Sequence, residues 1–154
     1  MESLRALANR NITKVTFVGV PDRPGIAADI FGALGQQGIN VELVVSTGGT
    51  AGTADISLAL ARSQEVAALG ALEALRQEIG ARGLQRNSHV CLVSLLGHSL
   101  QTEPGIAGRM FGALSRAGIN IEVISTSLSS VTCMIEEKQC EDALAALIRE
   151  FHLD

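Results

Sequence analysis

Apolar and polar positions alternate along "KVTFVGV", Lys14 to Val20, and the run is rich in β-branched residues. A period of two over such residues predicts a strand. The period then changes. Ile26, Ile30, Phe31 and Leu34 recur at helical spacing, and Gly38 follows. This predicts a helix with Pro24 in its first turn, where a missing N–H costs little, and a left-handed glycine just past its end. Strand patterning returns in "NVELVVS", Asn40 to Ser46, and in "TADISLALA", Thr53 to Ala61. "STGGTAG", Ser46 to Gly52, connects them as a hairpin. A second helix follows, with Ser63 as its cap and Val66, Leu69, Leu72, Leu75 and Ile79 on its apolar stripe. "GLQRNS", Gly83 to Ser88, supplies a fourth strand.

The same order is then written again. Pro24–Glu42 matches Pro104–Glu122 at 12 of 19 positions. "HVCLVSLLG", His89 to Gly97, is the counterpart of the first strand. Ile106, Met110, Phe111 and Leu114 form the helical stripe, between Pro104 and Gly118. "NIEVIST" and "SVTCMIE" are the next strands. A last helix carries Cys140, Leu144, Leu147, Ile148 and Phe151. A long internal period overrides local readings, and two copies are a duplicated domain, too few for a solenoid.

Each copy therefore reads as strand-helix-strand-strand-helix, and a fourth strand completes βαββαβ, an α+β class. Copy two has no such segment before the sequence stops. The unclaimed stretch is "SLRALAN", Ser3 to Asn9. Pairing it into copy two closes an edge that an incomplete sheet leaves open. The domains are then 12–88, and 3–9 together with 89–154.

Composition narrows the function. The chain has 154 residues, 47% hydrophobic and 18% charged, with net charge −4. It has three per cent aromatic residues and no Trp or Tyr, so a nucleic-acid or anionic-membrane partner has neither the charge nor the stacking groups it needs. "MESLRALANRN" lacks the apolar stretch of a signal peptide, and no run approaches the roughly 18 apolar residues of a membrane helix. Cys91, Cys133 and Cys140 are odd in number and lack Cys-x-x-Cys spacing; they read as buried thiols of a cytoplasmic protein.

Catalytic chemistry finds no material. His89, His98 and His152 have no metal-ligand spacing. The glycine-rich Ser46–Gly52 stretch lacks the Gly-Lys-Ser/Thr of a phosphate loop. Glu136 and Glu137 suit the start of the last helix. The expectation is no catalysis by this chain alone, no metal and no cofactor.

The twice-written residues are the candidates for binding. At "PDRPG" a strand hands over to a helix whose first N–H groups lack intrahelical partners, a natural seat for a carboxylate. Gly25 permits close approach of a ligand to the backbone. Asp22 reads either as an acceptor for an ammonium group or as the helix N-cap, and its counterpart Thr102 is also a good capper. Asn40 and Asn120 read either as turn side chains bonding their own backbone or as donors to a ligand. Ser46 and Thr47, and Ser125, Thr126 and Ser127 in copy two, either meet a ligand side chain or edge a strand. Gly32 and Gly112 read as close helix–sheet packing, since a mid-helix glycine otherwise costs about 1 kcal/mol.

Taken together, "KVTFVGVPDRPGIAADIFGALGQQGINVELV", "GTADISLAL", "EPGIAGRMFGALSRAGINIEVISTS" and the closing "ALAALIREFHLD" resemble tandem ACT domains, and more narrowly the regulatory region of aspartate kinase. The resemblance covers almost the whole chain. It implies two ferredoxin-like domains with helices on one face of each antiparallel sheet, the N-terminal strand completing the second. It implies an amino-acid effector, threonine or lysine, bound between ACT domains in feedback control of aspartate-family biosynthesis. The implied contacts are Asp22, Pro24, Gly25, Ile26, Ala27, Asn40, Ser46 and Thr47, with Gly105, Ile106, Ala107, Asn120, Ser125, Thr126 and Ser127. It implies a homodimer and a catalytic aspartate kinase partner that phosphorylates the aspartate carboxylate with ATP. The length and the starting methionine fit a separate β subunit. A free-standing ACT sensor and a fragment of a whole kinase are the alternatives. The chain departs from the family pattern at Ser46-Thr47 where Gln-Asn is common, at Glu103 where His is, at Leu128 where an acid is, and in the loop "GHSLQT".

Overall fold

The structure, a computed structural model, describes residues 4–48 and 51–154. Ser3, and Gly49 and Thr50 of the predicted hairpin, lie outside the described residues. The chain divides into two compact units: Asn11–Ser88, and the residues up to Arg10 together with His89–Asp154.

In the first unit, copy one, β2 (Thr13–Pro21), α1 (Ile26–Gln36), β3 (Val41–Gly48), β4 (Thr53–Leu60), α2 (Glu65–Ile79) and β5 (Gly83–Asn87) follow one another. The strands form one antiparallel sheet in the order β3-β4-β2-β5. Val15, Phe17, Leu58 and Leu60 meet Ile30, Leu34, Ala68 and Leu72 of the two helices, all fully buried. Each such valine, leucine, isoleucine or phenylalanine side chain is worth about 1.5–3 kcal/mol of burial.

Copy two repeats this with β6 (Val90–Leu96), α4 (Ile106–Arg116), β7 (Val123–Thr126), β8 (Ser130–Glu136) and α5 (Cys140–Phe151). Its fourth strand is β1 (Arg5–Asn9), paired antiparallel to β6 from Arg5↔Leu96 to Asn9↔Leu92, in the order β1-β6-β8-β7. β1 thus takes the place that β5 holds in copy one. "RALAN" has little strand propensity; the open β6 edge and the packing of Leu4, Ala6 and Ala8 on the copy-two core decide its conformation. On the sheet face opposite the helices, both copies carry a hydroxyl pair in the same register: Thr16 with Ser57 at 2.9 Å, and Ser94 with Thr132 at 2.8 Å.

Several local expectations are corrected. The helices begin at Ile26 and Ile106, with Gly25 and Gly105 as left-handed N-caps, so Pro24 and Pro104 lie before the first turn. Ser63 caps nothing. Asn11 does the work from the far end of the unit: its Oδ1 accepts the Ser63 N–H at 3.2 Å and its carbonyl accepts the Arg62 N–H at 3.2 Å. Of the expected α2 stripe, Leu72, Leu75 and Ile79 are buried and Leu69 packs on the core, but Val66 is 88% exposed; Glu65 and Ala68 are buried in its place, after a 3₁₀ turn over Arg62–Gln64. A Cβ at Gly32 would meet nothing within 4 Å, and at Gly112 only the Arg116 side chain, so neither glycine serves helix–sheet packing. Glu136 ends β8 and Glu137 enters a second 3₁₀ turn, leaving Glu141 and Asp142 in the first turn of α5. Copy two also has a short helix, α3 (Ser99–Thr102), with no counterpart in copy one.

The helix exits agree with expectation. Ile39 N–H bonds Leu34 O at 3.0 Å and Gly38 N–H bonds Gly35 O at 3.0 Å. Ile119 to Leu114 and Gly118 to Ser115 repeat this at 3.0 Å each. Both glycines are left-handed, φ 71° and 76°, as this closing motif requires. No helix among the described residues is long and apolar enough to cross a membrane.

Candidate functional site

The site builds from the end of β2. Pro21 still pairs with Thr53, and the Asp22 N–H reaches Gly52 O at 2.8 Å. Gly25, at φ 94°, then turns the chain into α1. The first intrahelical bond is Asp29 N–H to Gly25 O at 2.9 Å, so the N–H groups of Ile26, Ala27 and Ala28 precede the hydrogen-bonded ladder, and no side chain caps them. They carry the positive end of the helix dipole. Asp22 is exposed and is not the N-cap; among the described residues its carboxylate has no hydrogen-bond partner.

Strand register decides what joins this loop. Val20 pairs with Ala54, and Gly48 pairs with Ala54 from the other side, so the end of β3 lies at the loop's end of the sheet. Ser46 pairs with Ile56 and shares the helix-bearing face; Thr47 pairs with Asp55 and faces the other way. Asn40 precedes Val41, which pairs with Leu60 at the opposite end. Seven residues of strand separate the two ends, about 23 Å at roughly 3.3 Å each. Within one copy, Asn40 is therefore not beside the Asp22–Ala27 loop. Among the described residues it bonds no backbone of its own turn either. The tie at that turn comes from Gln64, whose Nε2 donates to Gly38 O at 3.4 Å; Gln139 does the same to Gly118 O at 3.3 Å. The sequence offered a signal for these two, since each glutamine stands at the same distance before its helix.

Copy two has the same frame with other chemistry. Gly105 is left-handed at φ 92°, and Arg109 N–H to Gly105 O, 3.0 Å, begins the α4 ladder after Ile106 and Ala107. Thr126 shares the helix face, Ser125 pairs with Thr132 on the other, and Ser127 is engaged with Ser130 through its hydroxyl at 2.7 Å. Thr102 ends α3 and turns its hydroxyl back to Ser99 O, so no carboxylate stands where Asp22 stands in copy one. Asn120 again lies at the far end of its sheet.

The two copies also differ on the outside of their helices. In copy two, Glu150 of α5 accepts from Arg116 at 2.6 Å and from Arg109 at 3.3 Å, and Arg109 stacks on Phe151 with its Cζ 4.5 Å from the ring centre. In copy one the equivalent positions hold Gln36, Asp29 and Leu75. There a groove of about 510 Å³ remains open over Ala28, Gly32, Ala33, Leu75 and Ile79.

Residues 14–77 match the ACT domain family, and residues 93–151 match a second ACT domain. The chain is 38% identical to an aspartate kinase of Pseudomonas fluorescens over 95% of its own length, and 35% identical to an aspartokinase of Mycolicibacterium smegmatis over 94%. It spans about a third of the length of these curated relatives, 35% in each case. Among solved structures, a chain in the crystal structure of aspartokinase alpha and beta subunits is 33% identical, with a TM-score of 0.88 over 96% of this chain and 97% of that one. The ligand-free regulatory subunit of aspartate kinase from Thermus thermophilus is 29% identical, with a TM-score of 0.89 over 95% and 96%. With two domain matches in tandem and an aspartokinase chain covered almost end to end, the chain belongs to the ACT-domain family, as a regulatory ACT pair of the aspartate kinase type.

Proposed function

We propose that this chain binds a free amino acid, threonine before lysine, and through it holds a catalytic aspartate kinase partner in an inhibited arrangement. The observation that carries the reading is the uncapped start of α1, with the exposed Asp22 carboxylate at the same end. The N–H groups of Ile26 and Ala27, presented by Pro24 and Gly25, meet the ligand carboxylate. Asp22 meets its ammonium group. Ser46, on the same face, approaches its side chain. Threonine ranks first because Leu128 occupies the family's acidic position, which removes a partner for a lysine tail.

Asn40 and Asn120 enter the site only across an interface. Edge strands β3 and β7 expose Val44 and Ile124, 46% and 49%. In a homodimer, antiparallel pairing of such an edge with that of a second chain sets the start of one strand beside the end of the other. The second chain's asparagine then arrives at the Asp22 loop, and its Ser125–Ser127 stretch lines the same edge; the Gly105–Ala107 loop is the corresponding seat in copy two. Inhibition follows from higher affinity of the effector for one of two arrangements.

The test is thermal melting with each protein amino acid at millimolar concentration, with light scattering to count chains. The expected result is a dimer, stabilised by threonine by about 2.7 kcal/mol at a hundredfold excess over its dissociation constant, an effect lost in Asp22→Ala. No shift with any amino acid overturns the reading.

A further inference from the structure

Strand β2 does not run straight into the Asp22 loop. Its pairing with β4 is regular from Thr13↔Leu60 to Phe17↔Ile56, shifts, and resumes at Val20↔Ala54. Gly19 sits in the shift, left-handed at φ 66°. A bulge bends its strand and leaves the extra residue without a ladder partner. Here the Gly19 N–H donates to Asp55 Oδ1 of β4 at 2.9 Å. From the other side, Arg82 N–H donates to Val18 O at 2.8 Å, and the Arg82 side chain crosses the glycine so closely that a Cβ there would lie 2.9 Å from Arg82 Cβ. The bend is therefore held between a carboxylate and an arginine, three residues before Asp22.

Copy two has no such bulge: β6 stays in register with β8 from Val90↔Glu136 to Leu96↔Ser130. The Gly97 N–H donates to Ser129 O at 2.9 Å, and a longer loop with α3 follows. A carboxylate acceptor binds an N–H more strongly than a carbonyl does. Copy one thus has a side-chain hold on the exit of β2 that copy two lacks, next to the loop that carries Asp22.

We propose that Asp55 is a positioning residue for the amino-acid site of copy one: by accepting the Gly19 N–H it sets the angle at which β2 hands the chain to the Asp22–Ala27 loop. The inference rests on the function proposed above and deepens it. Asp55 acts through the bulge and makes no contact with the ligand.

The experiment measures binding of L-threonine and L-lysine by calorimetry to the 154-residue chain, with NMR exchange of the Gly19 amide, in wild type, Asp55→Ala and Asp55→Asn. In Asp55→Ala the amide exchanges at least about tenfold faster and the dissociation constant rises about tenfold or more. Asp55→Asn keeps an acceptor oxygen, and both quantities stay within about threefold of wild type. Leu34→Ala, which loosens the copy-one core without touching the bulge, leaves the affinity of the folded chain within about threefold. Should Asp55→Ala not fold, Asp55→Ser, whose hydroxyl falls short of Gly19, carries the same expectation. Unchanged affinity or unchanged Gly19 exchange on losing the carboxylate overturns the role of Asp55 alone. A wild type that binds neither amino acid overturns the proposed function, and the role of Asp55 in it as well.

Discussion

Copy one buries polar groups where copy two buries sulfur. Thr13 and Glu65 are the buried polar side chains of the described residues, and Glu65 is paired with Arg86. Their counterparts in copy two are Cys91 and Cys140, both free and buried. The exteriors differ in the opposite sense: copy two ties α4 to α5 with two arginines, a glutamate and an aromatic ring, while copy one leaves its helices unclamped and keeps the Glu73–Arg76 pair within α2. One backbone plan thus tolerates two ways of distributing charge. The shared "PGIA" and "GIN" do not make the copies interchangeable. Asp22 and Asp55 stand where copy two has Thr102 and Ser130.

The largest expected contrast is at alkaline pH. Burial, then the neighbouring Cys140 thiol, pushes the Cys91 thiol up to about 12, and burial pushes Cys133 to about 11. The unfolded thiols ionise near 9.0. The folded state then holds more protons, so its advantage is complete below pH 9.0 and is lost as pH rises toward 11–12. At about 1.4 kcal/mol per pKa unit, copy two loses on the order of 3–5 kcal/mol by pH 11 while copy one does not. Methyl NMR of Leu114 and Leu34 along an alkaline titration reads the two separately. Simultaneous loss of both signals would break the contrast.

Next in size are the paired core truncations. Leu34→Ala and Leu114→Ala remove equivalent, fully buried side chains, and each costs about 2–5 kcal/mol. In hydrogen exchange, Leu114→Ala should loosen copy two and leave copy one protected. Leu34→Ala should loosen both, because β1 is tied to its sheet through copy one. A symmetric outcome would mean that the two units unfold as one.

Smallest is the clamp. Glu150→Gln weakens both arginine contacts and should lower copy-two stability by about 1 kcal/mol, read from urea midpoints. Molar salt should reproduce the loss in wild type and spare Glu65–Arg86, whose carboxylate is buried.

The duplication made the fold legible. Counting strands in two aligned copies was enough to send the N-terminal segment to copy two, although "RALAN" by itself says nothing of the kind. What stayed hidden depends on long-range partners. Asn11 takes the capping place that Ser63 advertises, from 52 residues away. The 3₁₀ turn that throws Val66 outward carries no periodic signal. The site was legible as a set of equivalent residues, not as a place: repetition shows that Asn40 and Asn120 correspond, while register puts each at the far end of its sheet from its loop. Asp55 looked like an ordinary polar strand residue because a bulge is invisible until the partner strand is known.

The route of the chain has a consequence for synthesis. β1 leaves the ribosome before its partner β6, which begins at Val90. At roughly 5–20 residues per second, the first strand waits about 4–16 s for its sheet. Copy one is completed in that interval, and its own pairing of Lys14 with Asn87 brings the two chain exits side by side. By the time copy two is made, an eighty-residue search has shrunk to a short tether, and β1 docks long after it is made.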